Sequence, residues 1–497
     1  MSERWSSCRP GRNHLYKKAG ILVISATLIN FAARPLTESI NHYRTNYIFM
    51  KKIAFLFSVA ILAGTAAFAQ NPIVKGMFSA DPSALVVGDR VYVYPSHDIK
   101  APADYARKDW FCMADYHVYS SDNLTDWTDH GMIVDQWTAP WVNEKGYSMW
   151  APDCKPHNGK YYFFFPAGAK PQPSANGRRG MGGNRVGIAI SDYPEGPFIP
   201  QETPLDNVMG IDPCIFVDDD GTGYLVMPGI TITKMNDDWL SVSTDPADRH
   251  RVEEVPTKGL VEGPYLFKHD GHYYMTFPWA RDVEEVLAYC MADNIFGPYK
   301  FMGVFFEEHA NKCWTNHHSI IEYKGQTYLF YHHNEYSPEF DKNRSVCADS
   351  IFFEPDGTIR MVKPTLRGIG VTQSNTEIQL DRYSALSQSG DSIAYLEPSN
   401  YFAGWKTVFF EKGAWAQYNT VNFQKAPKSV KVKIVPPSAG KLEILQDDKV
   451  IATVDVPGDR QTIEATAKVT GALKGIHHLK VRMATEGKVQ VDWLTFE

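Results

Sequence analysis

Five polar residues stand just ahead of five apolar runs: Asp81 in SADPSALVV, Asp153 in WAPDCKPH, Asp212 in GIDPCIFVD, Glu262 in VEGPYLF and His317 in TNHHSIIEY. Three of them are carboxyls with a proline close behind, Asp81-Pro82, Asp212-Pro213 and Glu262-Gly263-Pro264. Proline cannot donate to a β-ladder, so it belongs at a strand entry, where its fixed φ stiffens the placement of the carboxyl before it. Carboxyls brought together are costly unless one is protonated or a cation sits among them. Two chemistries use such a group. One is hydrolysis of a glycosidic bond, in which a carboxylic acid protonates the leaving oxygen while a carboxylate activates water or attacks; the other is calcium coordination by oxygen ligands. Taken singly, each of the three is equally an ordinary turn starter.

What could bring them together is a repeat. Short β-branched and aromatic runs separated by Gly, Asp and Asn turns fill the chain, with almost no sustained helical period, which predicts an all-β protein. A Gly-containing turn followed by tyrosine in an apolar strand recurs around Gly88, Gly159, Gly221, Gly271 and Gly325. The intervals, roughly 50 to 70 residues, suit one four-stranded antiparallel sheet each. Radial repetition of such sheets predicts a five-bladed β-propeller. If the strand before each turn is innermost, the polar residues that open these strands converge on one mouth of the axis. Asp153 among them reads as structural or substrate-contacting. Trp110, Trp150 and Trp314 are candidates for stacking on a sugar ring, although tryptophans also fill gaps between blades.

The chain has 497 residues, with 50 Lys+Arg against 57 Asp+Glu and a net charge of -7, which gives no footprint for nucleic acid or an anionic membrane. From Met50, MKKIAFLFSVAILAGTAAFAQ has the charged, apolar and small-residue order of a secretory signal peptide over 50–69, leaving Gln70 first. Residues 1–49 read as an upstream extension outside the mature protein. Export to the periplasm or medium is expected, without membrane insertion. Apart from Cys8, six cysteines spread over an exported chain are not a disulfide framework, and no CxxC pair suggests zinc.

The segments SADPSALVVGDRVYVYPSHD, GIDPCIFVDDDGTGYLV and LVEGPYLFKHDGHYYMTF resemble, in order, the three signature segments of glycoside hydrolase family 43, over roughly residues 71 to 370. The resemblance implies a five-bladed β-propeller and an inverting hydrolase acting on arabinose- and xylose-containing plant polysaccharides. It makes Asp81 the general base, Glu262 the general acid, and Asp212 the carboxyl that positions the acid and raises its pKa. His317 resembles a histidine near the propeller axis where a hydrated calcium is often found; a core histidine without metal is the alternative. Arg344, in KNRSVCADSIFF, matches an arginine near the sugar, or is a surface ion-pair partner. The implied reaction is release of α-L-arabinofuranosyl or β-D-xylosyl units from cell-wall oligo- or polysaccharides, with no organic cofactor. An endo-acting arabinanase or xylanase and a non-catalytic sugar-binding propeller are the rivals.

After the polar linker DRYSALSQSGDS, strict alternation in SVKVKIV and KLEILQDDKVIATVDV predicts a β-sandwich over 381–497, with the propeller over 70–380. This segment resembles carbohydrate-binding module family 6, a jelly-roll sandwich, but lacks the family's pair of loop aromatics. Trp493 sits inside the last strand, where a core role is expected, and Trp405 and Trp415 could bind sugar or pack on the propeller.

Overall fold

The computed structural model describes residues 71–497 apart from 104, 172–182, 282–283, 308–312, 338, 436–437 and 459–460. The upstream extension (1–49) and the signal peptide (50–69) read from the sequence lie outside the described residues. Apart from a 3₁₀ turn at Pro246–Asp248, every regular element described is a strand. Among the described residues no helix is long and apolar enough to cross a membrane.

Five antiparallel sheets follow one another along the chain. The first joins Phe78–Val87, Arg90–Asp98, Met113–Ser121 and Thr128–Asp135; the second joins Asp153–His157, Lys160–Gly168, Asn184–Ser191 and Ile199–Pro200. Cys214–Val217, Gly223–Met227, Thr231–Lys234 and Arg249–Arg251 make the third. In the fourth, Leu260–Val261 and Tyr265–His269 both pair with His272–Ala280, followed by Glu285–Ala292 and Lys300–Phe306. The fifth has three strands, Ser319–Tyr323, Gln326–His333 and Ser345–Ile351. The segment ahead of the first sheet runs beside its last strand: the Ile73 amide donates to Val346 O at 2.9 Å and the Ser79 amide to Arg344 O at 2.8 Å. Asn71 is tied there too, its side chain exchanging hydrogen bonds with Ala348 at 3.2 and 2.9 Å.

All five turns read from the sequence are hairpins between consecutive strands, the second and third of the fourth sheet and the first two of the others. Asn158-Gly159 and Asp270-Gly271 have positive φ at both central residues (50° and 76°, 47° and 83°), which the tightest hairpin demands and which Asn, Asp and Gly tolerate best. The strand ahead of each of these turns lies against its counterpart in the next sheet, and that of the fifth against that of the first. Aromatic layers fill the gaps between sheets: Phe163 of the second meets Tyr94 and Tyr116 of the first at ring separations of 5.9 and 5.1 Å. The six described cysteines are buried thiols.

Two further sheets form the C-terminal sandwich. In Ser429–Val435, Val430, Val432 and Ile434 are fully buried while the lysines between them face outward, as the alternation requires. Its ladders begin earlier than the sequence suggests, because Thr372–Gln373 and Ile378–Gln379 already pair with Trp415–Phe423 and Val489–Phe496. Trp405 is buried against Tyr336, which follows the fifth sheet's second strand, at 4.8 Å, so it packs between the two halves of the molecule. Trp493 is buried as well.

Candidate functional site

Each of the three carboxyls opening a repeat stands where its strand is interrupted. The ladder of the first hairpin slips between Ala80 and Ser83, and Asp81 within the slip has φ 51°. Asp212, two residues ahead of Cys214–Val217, has φ 56°. Glu262 fills the gap between Leu260–Val261 and Tyr265–His269, followed by Gly263 at φ 48°. A left-handed backbone at a residue other than glycine costs free energy and persists only where surroundings impose it, a pattern concentrated at functional sites. Prolines at 82, 213 and 264 remove the donors that would otherwise carry the ladder through. Gly263 has a steric reason besides, since a Cβ there would lie 2.7 Å from His317 Nδ1.

Asp81 is buried and is held by a cation. Arg344 Nη1 donates to its Oδ1 at 2.9 Å, while the same guanidinium grips Asp98 through Nε at 3.1 Å and Nη2 at 3.0 Å. His332 Nδ1 accepts the Asp81 amide at 3.1 Å. Burial alone would raise the Asp81 carboxyl, but the Arg344 guanidinium holds it well below the usual carboxylate range. Burial and the adjacent guanidinium push His332 down to about 4, so its ring is neutral at working pH and can accept that amide.

The other two carboxyls move the opposite way. Burial, then the charge of Glu262, then that of Asp81 raise Asp212 well above its ordinary value, against weak support from the Ala151 amide at 3.4 Å. Glu262 is raised by burial and by the Asp81 charge, opposed by a hydrogen bond with Glu285. Glu285 is itself buried and accepts the Asn316 amide at 2.5 Å. Burial and neighbouring charge thus favour ionisation of one carboxyl and protonation of the other two, the division of labour that acid–base catalysis requires.

Of the other residues expected from the sequence, Trp110 and Trp314 come together with Phe111, at ring separations of 5.9 and 5.4 Å, and the Arg344 guanidinium lies 4.5 Å over Phe111. This half-buried aromatic surface therefore adjoins Asp81. Trp150 precedes Ala151, on the Asp212 side, and is also half-buried. Arg344 is not a surface ion-pair partner; it is buried between two carboxylates. His317 is half-buried beside Gly263, whereas its neighbour His318 is in the core, bonded to Thr276 Oγ1 at 2.6 Å. Asp153 is structural: Ser83 Oγ at 2.6 Å, Lys155 Nζ at 3.0 Å and the Ile215 amide at 2.7 Å tie it to three sheets. Sequence reasoning missed Asp98, His332 and Glu285. Counting outward from the Gly88 hairpin places Asp98 opposite Ser79, near Asp81; the slip between Ala80 and Ser83 moves its partner by one residue to Phe78.

Replacing Arg344 by Gln is expected to move the acid limb of the pH profile of kcat/KM toward neutrality. Its charge holds Asp81 low, so without it burial dominates, the Asp81 pKa rises, and the ionised form is lost at higher pH. An acid limb that stays in place would exclude Asp81 as the group that must be ionised.

The sequence model described as "Glycosyl hydrolases family 43" matches residues 69–359, and that of "Carbohydrate binding module (family 6)" matches residues 384–497. The chain is 32% identical over 343 residues to a xylosidase/arabinosidase 43A of Humicola insolens, covering 59% of this chain and 99% of that one. An arabinoxylan arabinofuranohydrolase of Paenibacillus polymyxa is 24% identical over 471 residues, 82% of this chain and 71% of that one. Among solved structures, a β-xylosidase/α-arabinofuranosidase from a compost microbial metagenome, crystallised with xylotriose, aligns with a TM-score of 0.51 at 30% identity, covering 60% of this chain and 98% of the other.

Proposed function

We propose, from the premise that the chain belongs to glycosyl hydrolase family 43, that it is an inverting glycoside hydrolase releasing α-L-arabinofuranosyl or β-D-xylosyl units from plant cell-wall saccharides. The observation that carries this reading is the placement of the carboxyls: Asp81 is buried against the Arg344 guanidinium at 2.9 Å, which favours its ionised form, while Asp212 and Glu262 are placed where burial and neighbouring charge favour their protonated forms. In the reaction, Asp81 takes a proton from a water attacking the anomeric carbon, and Glu262 delivers one to the departing glycosidic oxygen. Asp212, buried and itself raised by the Glu262 charge, positions the acid. Trp110, Trp150 and Trp314 offer aromatic faces to the sugar, and Arg344 fixes the base beside it.

The fold in this reading is a five-bladed propeller, supported by the succession of five sheets whose strands ahead of the five turns neighbour one another in a cycle. A calcium near the axis would meet the chain at His317 through one imidazole nitrogen, far from the oxygen-rich shell of six to eight ligands calcium takes, so water would have to supply the rest. The mechanism routes no step through it. The Met50–Ala69 segment supports export to a compartment where such saccharides are met.

The test is hydrolysis of p-nitrophenyl α-L-arabinofuranoside and β-D-xylopyranoside, with the first-formed anomer followed by NMR. Release of one sugar with inverted configuration is expected. Retained configuration would overturn the assignment of Asp81 as base. Silence on both glycosides, with only internal fragments released from arabinoxylan, would replace the exo-acting reading by an endo-acting one.

A further inference from the structure

On the first sheet, His97 lies near the end of Arg90–Asp98, and Asp115 and His117 lie two apart on the neighbouring strand, so that the latter two share a face. The ladder between the strands slips between Ser96 and Asp98, which brings His97 over that pair. Asp115 Oδ1 is 2.8 Å from His97 Nδ1 and 3.3 Å from His117 Nε2. The rings stand edge to face at 5.2 Å. Among the described residues this is the one group of three or more His, Cys, Asp or Glu side chains whose donor atoms all lie within 4.8 Å of one another. None of the three belongs to the site described above.

Hydrogen bonding alone leaves this cluster incomplete. If both imidazoles donate to Asp115, the His117 proton sits on Nε2. Its Nδ1, which is buried and has no hydrogen-bond partner, is then a bare lone pair. An ion at Nε2 reverses that arrangement: the proton moves to Nδ1, and Asp129 Oδ1, 4.0 Å away on that side, would accept it after closing by about 1 Å, the role a carboxylate plays for a metal-bound histidine. Two of the donor separations, 2.8 and 3.3 Å, lie near the roughly 3.3 Å expected around a tetrahedral ion with bonds near 2.0 Å, and the third is within 4.8 Å. The side chains of His97, Asp115 and His117 are 24%, 13% and 18% exposed, which leaves an approach for an ion and room for a water ligand. Two imidazoles and one carboxylate suit a first-row transition ion rather than calcium or magnesium.

We propose that His97, Asp115 and His117 form a structural site for a divalent transition-metal ion of the zinc class, with water completing its coordination. Its place in the fold gives it a purpose. The residue after His97 is Asp98, which grips Arg344, which in turn holds Asp81. An ion clamping the two strands fixes the end of the strand on which this chain of contacts depends.

The experiment uses the full chain stripped with chelator and desalted, then titrated with Zn²⁺ by calorimetry and with Co²⁺ by visible absorption. The expected result is one saturable equivalent that raises Tm and gives the intense visible bands of a four-coordinate Co²⁺ site. It is retained in His317→Gln and lost in His117→Gln and Asp115→Asn. Asp129→Ala, at a half-exposed position outside the ligand set, should weaken Zn²⁺ about tenfold, and it keeps the test decisive if a ligand variant fails to fold. Absence of saturable binding in the wild type, or identical titrations of wild type, His117→Gln and Asp129→Ala, would overturn the proposal.

Discussion

Asp81→Asn is expected to lower kcat/KM by about 10²- to 10⁴-fold, the span that a positioned general base supplies. The amide keeps the shape of the carboxyl and can still accept from Arg344, so the loss isolates proton transfer from packing. A second variant at the position is informative for a reason of backbone. Because φ at 81 is 51°, glycine fits the left-handed conformation better than aspartate does, and Asp81→Gly removes the base while leaving a small void. Azide, which attacks without needing a base, should then restore part of the turnover as a glycosyl azide of inverted configuration. A wild-type rate in Asp81→Asn on a natural oligosaccharide would remove Asp81 from the chemistry.

Glu262→Gln should divide substrates by leaving group. An oligosaccharide, whose departing alkoxide needs a proton, should lose about 10²- to 10⁴-fold, whereas an activated aryl glycoside should lose much less. The pH profile provides a second readout. Glu262 must be protonated to act, and burial beside Asp81 raises its pKa, so wild-type activity persists until pH passes that raised value and then falls. Glutamine carries no such proton, and the basic limb should vanish on the aryl substrate. Equal losses on both substrates, with the basic limb intact, would assign the acid to another residue.

Why the carboxyls were visible in the sequence while their partners were not follows from the range of the interactions. The turns at Gly159 and Gly271 and the Asp-Pro or Glu-Gly-Pro strand entries are local signals: a φ requirement or a missing donor is written within a few residues. Asp98, His332 and Glu285 matter only through contacts made across a hairpin or between sheets. Arg344 meets Asp81 263 positions earlier in the chain. No periodicity carries that information. Short pairings such as Thr372–Gln373, two residues long, fall below any alternation pattern, which is why the sandwich reaches further back than its linker suggests. His317 and His318 show the same limit at the scale of one residue: adjacent in sequence, one faces the site and the other bonds Thr276 in the core.

The segment from Asn71 to Ser79 has a consequence for the order of events in folding. Its partners, Arg344, Val346, Ala348 and Leu366, are synthesised after nearly all of the sheets between them, so its docking closes a loop of some hundreds of residues, a slow step for a chain dominated by distant contacts. The first sheet can assemble early, but Asp81 then stands in water as an ordinary carboxylate without its Arg344 partner. The docking that ties the start of the chain to its fifth sheet thus also delivers the guanidinium to the carboxyl proposed as base, together with the burial that would otherwise protonate it.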